Sequence, residues 1–309
     1  MRKRQTAPSK IFSLLCCVTF ALCSSNSAAE AAPEASAQHG QSLALAAVTG
    51  TTAHWQQLNP RKLKLRSASV LVSDLSGHQV YGKDSEEPMP IASITKLMTA
   101  MVILDAGLPL DQRITITKQD RDLIQLTGSR LKYGASLTRR QLVKLALMAS
   151  ENRAARALAR TYPGGRQAFV RAMNEKAKAL GMGRSRFIDA AGLDPGNVAS
   201  ARDLLKMVLA AREYPLIQEA TTSRSMSVRP YKKLGPLRFG NTNRLLKSEH
   251  WDIDLSKTGY INEAGRCLVM QANIEGHPLV IVLLNSFGKL TPFGDSNRIR
   301  KWIEAGIKS

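Results

Sequence analysis

The chain has 309 residues, of which 44% are hydrophobic, enough for one substantial domain or two modest ones. Its formal net charge of +20 suits an anionic partner. Nucleic acid is not supported as that partner, because only 5% of the residues are aromatic, the basic residues are scattered and no stacking motif occurs. The five histidines show no metal-ligand spacing, so we predict neither a metal site nor a cofactor.

The first residues have the pattern of a secretory leader. Cations at positions 2, 3, 4 and 10 precede an apolar run over 11–22, and small residues follow up to position 29. The apolar run is too short to remain as a transmembrane anchor. We therefore predict a signal peptide over residues 1–29 that is cleaved on export. The remaining chain carries +16, because residues 1–29 hold four cations and no acid.

Composition also divides the exported chain. Residues 30–60 are rich in Ala, Glu, Pro, Ser, Thr and Gln, which predicts a flexible segment, and a folded domain is expected over 61–309. Of the four cysteines only Cys267 lies outside the predicted leader, so no disulfide can form within the mature chain. Its apolar neighbours favour a role in core packing rather than as a nucleophile.

The first half of the folded domain predicts a hairpin followed by helices. Two β-rich segments, 69–72 and 79–81, are separated by turn residues. Residues 91–104 are apolar on nearly every face, which indicates a buried helix. Further helices are predicted in three places: from Thr138 with Gln141 as a capping box, over 167–180, and after Ser200 with Asp203 completing the cap.

From about Ser225 the pattern favours strands. Trp251, Ile253 and Leu255 alternate with polar residues at a period of two. Segments 266–273 and 279–285 flank a turn over 275–278 and predict an antiparallel pair, and a final helix is expected over 296–307. This order of elements predicts an antiparallel sheet flanked by helices.

A serine three residues before a lysine recurs along the chain. On a helix this spacing places hydroxyl and amine on one face, where the lysine can take a proton from a serine nucleophile. The pattern occurs three times, at Ser93/Lys96, Ser129/Lys132 and Ser286/Lys289. Only the first pair opens a predicted buried helix, so surface positions are expected for the other two.

The environment of Lys96 decides whether it can act as a base. A buried ammonium is costly, and burial shifts a lysine towards its neutral form. The alternative is a side chain that extends to the edge of the helix and stays charged. The helical pattern alone leaves both open.

Two further motifs accompany this pair. Ser150-Glu151-Asn152 interrupts a helical pattern, and Lys257-Thr258-Gly259 follows the alternating strand. The order Ser-x-x-Lys, Ser-x-Asn, Lys-Thr-Gly resembles the active-site triplet of the penicillin-recognising serine enzymes. Residues 90–101, 145–155, 257–260 and 264–270 are similar to the low-molecular-mass D-alanyl-D-alanine endopeptidases of the penicillin-binding protein 7 type, and the likeness extends from about residue 65 to the end.

The resemblance implies an α+β fold of the β-lactamase and D,D-peptidase kind: a five-stranded antiparallel sheet flanked by helices, with an all-helical subregion. It also implies the catalytic roles. Ser93 is the nucleophile, and Lys96, kept neutral by burial and by the charge of Lys257, is its base. Ser150 relays a proton to the leaving amine, and Asn152 orients Lys96 and holds a substrate amide.

The resemblance places substrate binding at the third motif. Lys257 and Thr258 are expected to bind the carboxylate beside the scissile bond, and Gly259 to let the substrate backbone approach the strand. The backbone N–H groups of Ser93 and Tyr260 receive the oxyanion. Because neighbours on a regular strand face opposite sides, Lys257 and Thr258 can serve one cleft only if the strand twists or the cleft lies at its edge.

By the same resemblance the substrates are D-alanyl cross-links in peptidoglycan peptides, β-lactams bind covalently, and the protein is periplasmic. Carboxypeptidase relatives carry an additional C-terminal β-rich domain and a terminal helix that binds the membrane. Here the chain ends 50 residues after Gly259, which favours an endopeptidase that is soluble or loosely attached to membrane or wall.

Three other functions stay open from sequence. The motifs do not distinguish an endopeptidase from a carboxypeptidase that trims pentapeptides. A class A-like β-lactamase would need a base for deacylation, yet Glu175 falls in a helical pattern, residues 192–197 offer only Asp194, and Glu151 is expected to be an exposed residue of a helix turn. A non-catalytic penicillin-sensing or wall-binding module would use the same triplet.

Overall fold

The computed structural model describes Trp55 and residues 57–307. Over these residues it contains 11 strands and seven α-helices. The strands are β1 (Ser67–Asp74), β2 (Gln79–Lys83), β3 (Met89–Pro90), β4 (Arg113–Thr115), β5 (Ser136–Thr138), β6 (Val198–Ala199), β7 (Ser225–Val228), β8 (Leu237–Gly240), β9 (Asp252–Ile261), β10 (Gly265–Ile274) and β11 (His277–Ser286). The helices are α1 (Thr95–Asp105), α2 (Arg139–Met148), α3 (Asn152–Arg160), α4 (Gly165–Ala179), α5 (Ala201–Ala211), α6 (Pro215–Thr222) and α7 (Thr291–Ile307).

Five strands form one antiparallel sheet, as the resemblance implied, and their order is β2-β1-β11-β10-β9. Strand β9 lies at its edge. Each face of the sheet covers an apolar core, because successive strand residues point to opposite sides. Leu71 packs into the core shared with helices α1 to α6, while its neighbours Val70 and Val72 pack with Ile299 and Ile303 of helix α7. The predicted fold class is therefore confirmed.

Local capping patterns in the sequence locate two helices correctly. Thr138 caps α2 and accepts a hydrogen bond from the Gln141 backbone, while the Gln141 side chain accepts one from the Thr138 backbone. Ser200 caps α5 and accepts a hydrogen bond from the backbone of Asp203. Such contacts join residues three positions apart, so a short sequence window contains both partners.

The predicted bounds of three elements differ from the structure, by one or two residues for the β10–β11 pair and by four or five for the starts of α1 and α7. The long apolar segment begins as a 3-10 turn at Ala92–Ile94, and α1 starts only at Thr95, because Ala92 has φ +46°, outside the right-handed helical region. The β10–β11 pair continues to a two-residue turn at Glu275 and Gly276, both with positive φ. Helix α7 starts five residues early, since a proline is tolerated in a first turn.

The predicted leader and most of the predicted flexible segment lie outside the described residues. Within residues 57–307 no helix combines the length and apolar character that crossing a bilayer requires.

Candidate active site

Ser93 lies in the tight turn between β3 and α1. Two neighbouring segments close on this turn at glycines, where a Cβ would not fit. A Cβ on Gly192 would lie 1.8 Å from the Ala92 carbonyl oxygen, and one on Gly259 would lie 2.8 Å from the Ile91 carbonyl oxygen. Gly259 therefore lets β9 approach the nucleophile turn, a role that the sequence analysis did not assign to it.

Lys96 is fully buried at the start of α1, and its Nζ has three polar neighbours. Nζ lies 2.6 Å from Ser93 Oγ, 2.8 Å from Asn152 Oδ1 and 2.6 Å from the carbonyl oxygen of Ala191. A neutral amine has two N–H groups and one lone pair. If the N–H groups donate to Asn152 and Ala191, the lone pair faces the Ser93 hydroxyl and can accept its proton.

Burial is the main reason for the acid–base behaviour of Lys96. It lowers the pKa of this amine to about 7, although the carboxylates of Asp189, Glu151 and Asp122 act in the opposite direction. Burial, and then the charge of Lys96, lower the pKa of Lys257 well below the ordinary lysine value. The expected contribution of the Lys257 charge is not among the causes of the Lys96 shift, which comes from desolvation. With a pKa of about 7, about half of the Lys96 amine is neutral at pH 7.

A chain of hydrogen bonds fixes the amide of Asn152, the first residue of α3. Its Nδ2 donates to Thr127 Oγ1 at 2.8 Å, and the Thr127 hydroxyl donates to Asp122 Oδ2 at 2.6 Å. Burial opposes the ionisation of Asp122, but hydrogen bonds from Thr127, Ile124 and Gln125 outweigh it and lower its pKa. The fixed Nδ2 leaves Oδ1 directed at Lys96.

Ser150 occupies the junction between α2 and α3 with φ +56°, an unusual conformation for a residue with a side chain. Its Oγ accepts a hydrogen bond of 3.0 Å from Lys257 Nζ, which also donates to the carbonyl oxygen of Thr258 at 2.8 Å. Lys257 is buried and bridges the helical side of the site to the edge strand. Ser93 and Ser150 therefore each contact a buried amine.

A pocket of about 400 Å³ opens above these groups at the edge strand. Six of the eight predicted site residues line it, and Lys96 and Lys257 are buried beneath them. The lining residues are Ser93, Ser150, Asn152, Thr242, Arg244, Thr258, Gly259, Tyr260, Arg266, Cys267, Lys289, Pro292 and Phe293. The Ser-x-x-Lys, Ser-x-Asn and Lys-Thr-Gly motifs therefore meet at this pocket. The pocket lies at the edge strand, which is one of the two arrangements that let Lys257 and Thr258 serve the same cleft.

We call the five residues Ser93, Lys96, Ser150, Asn152 and Lys257 the floor of the pocket. The three cations Arg244, Arg266 and Lys289 are its rim cations. The rim cations are at least partly exposed, in contrast to the two buried lysines of the floor. Thr258 lies between the two groups and hydrogen bonds through its hydroxyl to that of Thr242 at 2.7 Å.

Asp189 was missed by sequence reasoning, yet it organises the loop behind Lys96. Its carboxylate accepts hydrogen bonds from four successive backbone N–H groups and the Asn197 amide, between 2.6 and 3.0 Å. This loop places the Ala191 carbonyl against Lys96. An acid followed by small residues and glycine is typical of such turns, but that signal is weak by itself.

The surface position expected for the other Ser-x-x-Lys pairs is wrong for Ser286 and agrees with the structure for Ser129, Lys132 and Lys289. Ser286 is buried in β11, where its hydroxyl hydrogen bonds to that of Ser67 at 2.7 Å. Lys289 is exposed as expected, but it lines the pocket. Ser129 is half-buried and donates a 2.6 Å hydrogen bond to Glu151.

Glu151 is also buried rather than exposed. It is 8% exposed and caps α3 by accepting a hydrogen bond from the backbone of Arg153. Burial raises its pKa, although the hydrogen bonds from Ser129 and Arg153 act to lower it. Cys267 behaves as expected of a core residue: it is 1% exposed, and burial raises its pKa to about 12.

Comparison with known proteins identifies the family. The profile of the D-alanyl-D-alanine carboxypeptidases matches residues 56–288. The chain belongs to this family of serine peptidases. It is 46% identical over 248 residues to a D-alanyl-D-alanine endopeptidase of Pseudomonas aeruginosa, covering 80% of each chain. It is 44% identical over 244 residues to the D-alanyl-D-alanine endopeptidase of Escherichia coli, covering 79% of each.

The fold agrees with solved structures of this family. The DD-transpeptidase of Streptomyces K15 superimposes with a TM-score of 0.73 at 27% identity, covering 78% of the present chain and 98% of that chain. The resemblance stated from sequence is thereby confirmed at the level of family and fold.

Proposed function

We propose that the protein is a penicillin-binding serine D,D-endopeptidase that hydrolyses D-alanyl cross-links between peptidoglycan stem peptides through an acyl-enzyme on Ser93. The observation that carries this proposal is the buried Nζ of Lys96, 2.6 Å from Ser93 Oγ. Its lowered pKa makes it a proton acceptor near neutral pH. The two relatives named above are both endopeptidases.

Acylation begins when Ser93 Oγ attacks the carbonyl carbon of a D-alanine residue and its proton passes to Lys96. The resulting oxyanion is assigned to two backbone N–H groups, that of Ser93 in the nucleophile turn and that of Tyr260 on the neighbouring strand β9. Ser150 then passes its proton to the leaving amine, which departs as the C–N bond breaks, and the proton that Lys96 took from Ser93 replaces the one on Ser150. Lys257, hydrogen bonded to Ser150, supports this transfer electrostatically.

The leaving group carries a carboxylate next to the scissile bond, and the pocket suits it. Thr258 offers a hydroxyl, and among the rim cations Arg244 and Lys289 are available for an ion pair with it. Water completes the cycle by attacking the acyl carbon: Lys96, neutral again, accepts the water proton and passes it to Ser93 Oγ as the ester bond breaks. No residue of the pocket lining is an acid, so a deacylating carboxylate of the β-lactamase kind is absent from that lining.

Digestion of purified muropeptides tests the proposal. The wild-type protein should convert cross-linked dimers to monomers, while Ser93→Ala should not. A carboxypeptidase, the second candidate because the family profile carries that description, would release D-alanine from pentapeptide monomers and leave dimers intact.

β-Lactams provide an independent measurement. We expect one covalent benzylpenicillin adduct, mapped by mass spectrometry to the peptide that contains Ser93, and slow release of it. Rapid nitrocefin hydrolysis would favour a β-lactamase instead. Retained sacculus binding without any cleavage by the wild type would favour a sensing or wall-binding module.

We further propose that the mature protein is periplasmic and comprises a flexible segment over 30–60 and a catalytic domain over 61–309. The support is the charge and hydropathy pattern of the first 29 residues. N-terminal sequencing of protein from a periplasmic extract should begin near position 30. A start at Met1 would contradict cleavage.

A further inference from the structure

The rim cations have no protein counter-ions. None of Arg244, Arg266 and Lys289 forms an ion pair or donates a side-chain hydrogen bond to another residue within the described part of the chain. By contrast, Arg160 and Arg166 pair with Asp120, and Arg202 pairs with Glu86. Because the lining of the pocket contains no acid, its rim presents three positive charges to whatever enters.

Arg266 differs from the other two in being held in place. Its guanidinium carbon lies 3.6 Å from the centroid of the Tyr260 ring, so the planar group stacks on the ring. Stacking occupies the face of the guanidinium and leaves its N–H groups, which point outward in the plane, available for a ligand. An ordered, unpaired fork of this kind matches a carboxylate in geometry and charge.

Strand geometry fixes the distance of Arg266 from the reaction centre. Arg266 of β10 pairs directly with Tyr260 of β9. Tyr260 and Thr258 are two residues apart and share one face of the strand, about 7 Å from each other along it. An anion on Arg266 would thus lie about one dipeptide step beyond an anion on Thr258.

Substrate chemistry supplies such a second anion. A terminal D-alanine that a carboxypeptidase removes has one carboxylate, the one beside the scissile bond. When a cross-link is cleaved, the leaving group is instead a whole stem peptide, which carries further free carboxylates besides the one next to the scissile bond. A rim with more cations than one carboxylate can use is therefore better suited to a cross-linked peptide.

We propose that Arg266, stacked on Tyr260, forms a second anion subsite that binds a free carboxylate of the cross-linked stem peptides other than the one beside the scissile bond. This inference rests on the proposed endopeptidase function. It makes Arg266 a specificity-determining residue that favours cross-linked peptides over a lone terminal D-alanine.

The test compares Arg266→Gln with wild type on two forms of one dimer, with its remote carboxylates free or amidated. For the wild type, kcat/KM should be about tenfold higher on the free acid, mainly through a lower KM, as expected of one charge-assisted contact. In Arg266→Gln this ratio should fall to about one. Arg266→Lys, which keeps the charge and loses the fork, should give an intermediate ratio.

Arg171→Gln is the matched control, because Arg171 is exposed on α4 and does not line the pocket. It removes the same charge and should keep the tenfold ratio. An unchanged ratio in Arg266→Gln overturns the subsite, even if its overall rate falls. If the wild type cleaves no dimer at all, the endopeptidase proposal fails. The same comparison on pentapeptides with free or amidated remote carboxylates then decides separately whether Arg266 binds an anion.

Discussion

The floor and the rim of the pocket both contain cationic residue types, but burial gives them different properties. Lys96 and Lys257 of the floor are 0% and 1% exposed, and burial lowers the pKa of both. The rim cations remain in contact with water, and the part of the chain described here provides no acid to pair with them. Desolvation thus turns a lysine into a base, whereas exposure without a counter-ion leaves a receptor for anions.

The largest expected effect is the difference between alanine substitutions in the two Ser-x-x-Lys pairs that border the pocket, Ser93/Lys96 and Ser286/Lys289. Ser93→Ala removes the nucleophile and should lower dimer cleavage by at least ~10⁴-fold, with no benzylpenicillin adduct. Ser286→Ala changes the same motif but only a buried hydroxyl pair with Ser67. Ser286→Ala should lower the free energy of unfolding by about 1 kcal/mol and should still form the benzylpenicillin adduct. Loss of the adduct in Ser286→Ala would mean that Ser286 is also needed for acylation, and would contradict the assignment of only the Ser93/Lys96 pair to catalysis.

Exchanging each lysine for methionine compares floor with rim directly. Lys96→Met retains length and removes the proton acceptor, so the acylation rate with benzylpenicillin should fall by about 10²–10⁴-fold. Lys289→Met removes one rim charge, and its effect on that rate should stay below about tenfold. Stopped-flow acylation measures both. Similar losses in the two variants would contradict a distinct role for the buried amine.

The pH dependence of acylation follows from the state of Lys96. Its pKa is lowered to about 7, so below this pH the amine is protonated and cannot accept the proton of Ser93. The rate should be nearly constant above pH 7 and decline about tenfold per pH unit below it. A rate that continues to rise to pH 10 would indicate an ordinary, charged lysine and would remove the basis of the mechanism.

Much of this site could be predicted because its residues belong to short motifs on regular elements. Ser93 and Lys96 are one helical turn apart, and Lys257 to Tyr260 follow an alternating strand. A short window of the sequence is therefore enough to predict these residues. The fold class follows for the same reason, since strands and helices have their own hydrophobic periods.

Other parts of the site depend on contacts between distant, irregular segments. Thr127 supports Asn152 from 25 residues away in a loop without periodicity. The importance of Asp189 comes from five hydrogen bonds within one loop, whose conformation no period encodes. The Ser-x-x-Lys spacing relates Lys289 only to Ser286, whereas its place at the pocket depends on where the central strand β11 ends, opposite Arg266 of β10.

Substitution of Asp189 tests a smaller effect, a shift in the pH dependence of acylation. Its charge raises the pKa of Lys96 against the effect of burial, so Asp189→Asn should move the acid limb of acylation to lower pH. The maximal rate should also fall, because the amide cannot accept all five hydrogen bonds, but a purely structural role would leave the limb in place. Asp194→Asn, a change in the same loop at a carboxylate that accepts only the Gly196 N–H, should not move it.

The smallest effect concerns the support of Asn152. Thr127→Val keeps the shape of the side chain and removes the hydroxyl that links Asn152 Nδ2 to Asp122. Without that link the amide can rotate, and a rotated amide would direct an N–H group at Lys96 instead of its oxygen. We expect the acylation rate to fall about three- to tenfold, the equivalent of one neutral hydrogen bond of about 1 kcal/mol. Thr127→Ser, which retains the hydroxyl, should stay within about twofold of wild type. If Thr127→Val matches wild type, the neighbours of Lys96 alone suffice to orient Asn152, and the chain to Asp122 contributes nothing to the floor.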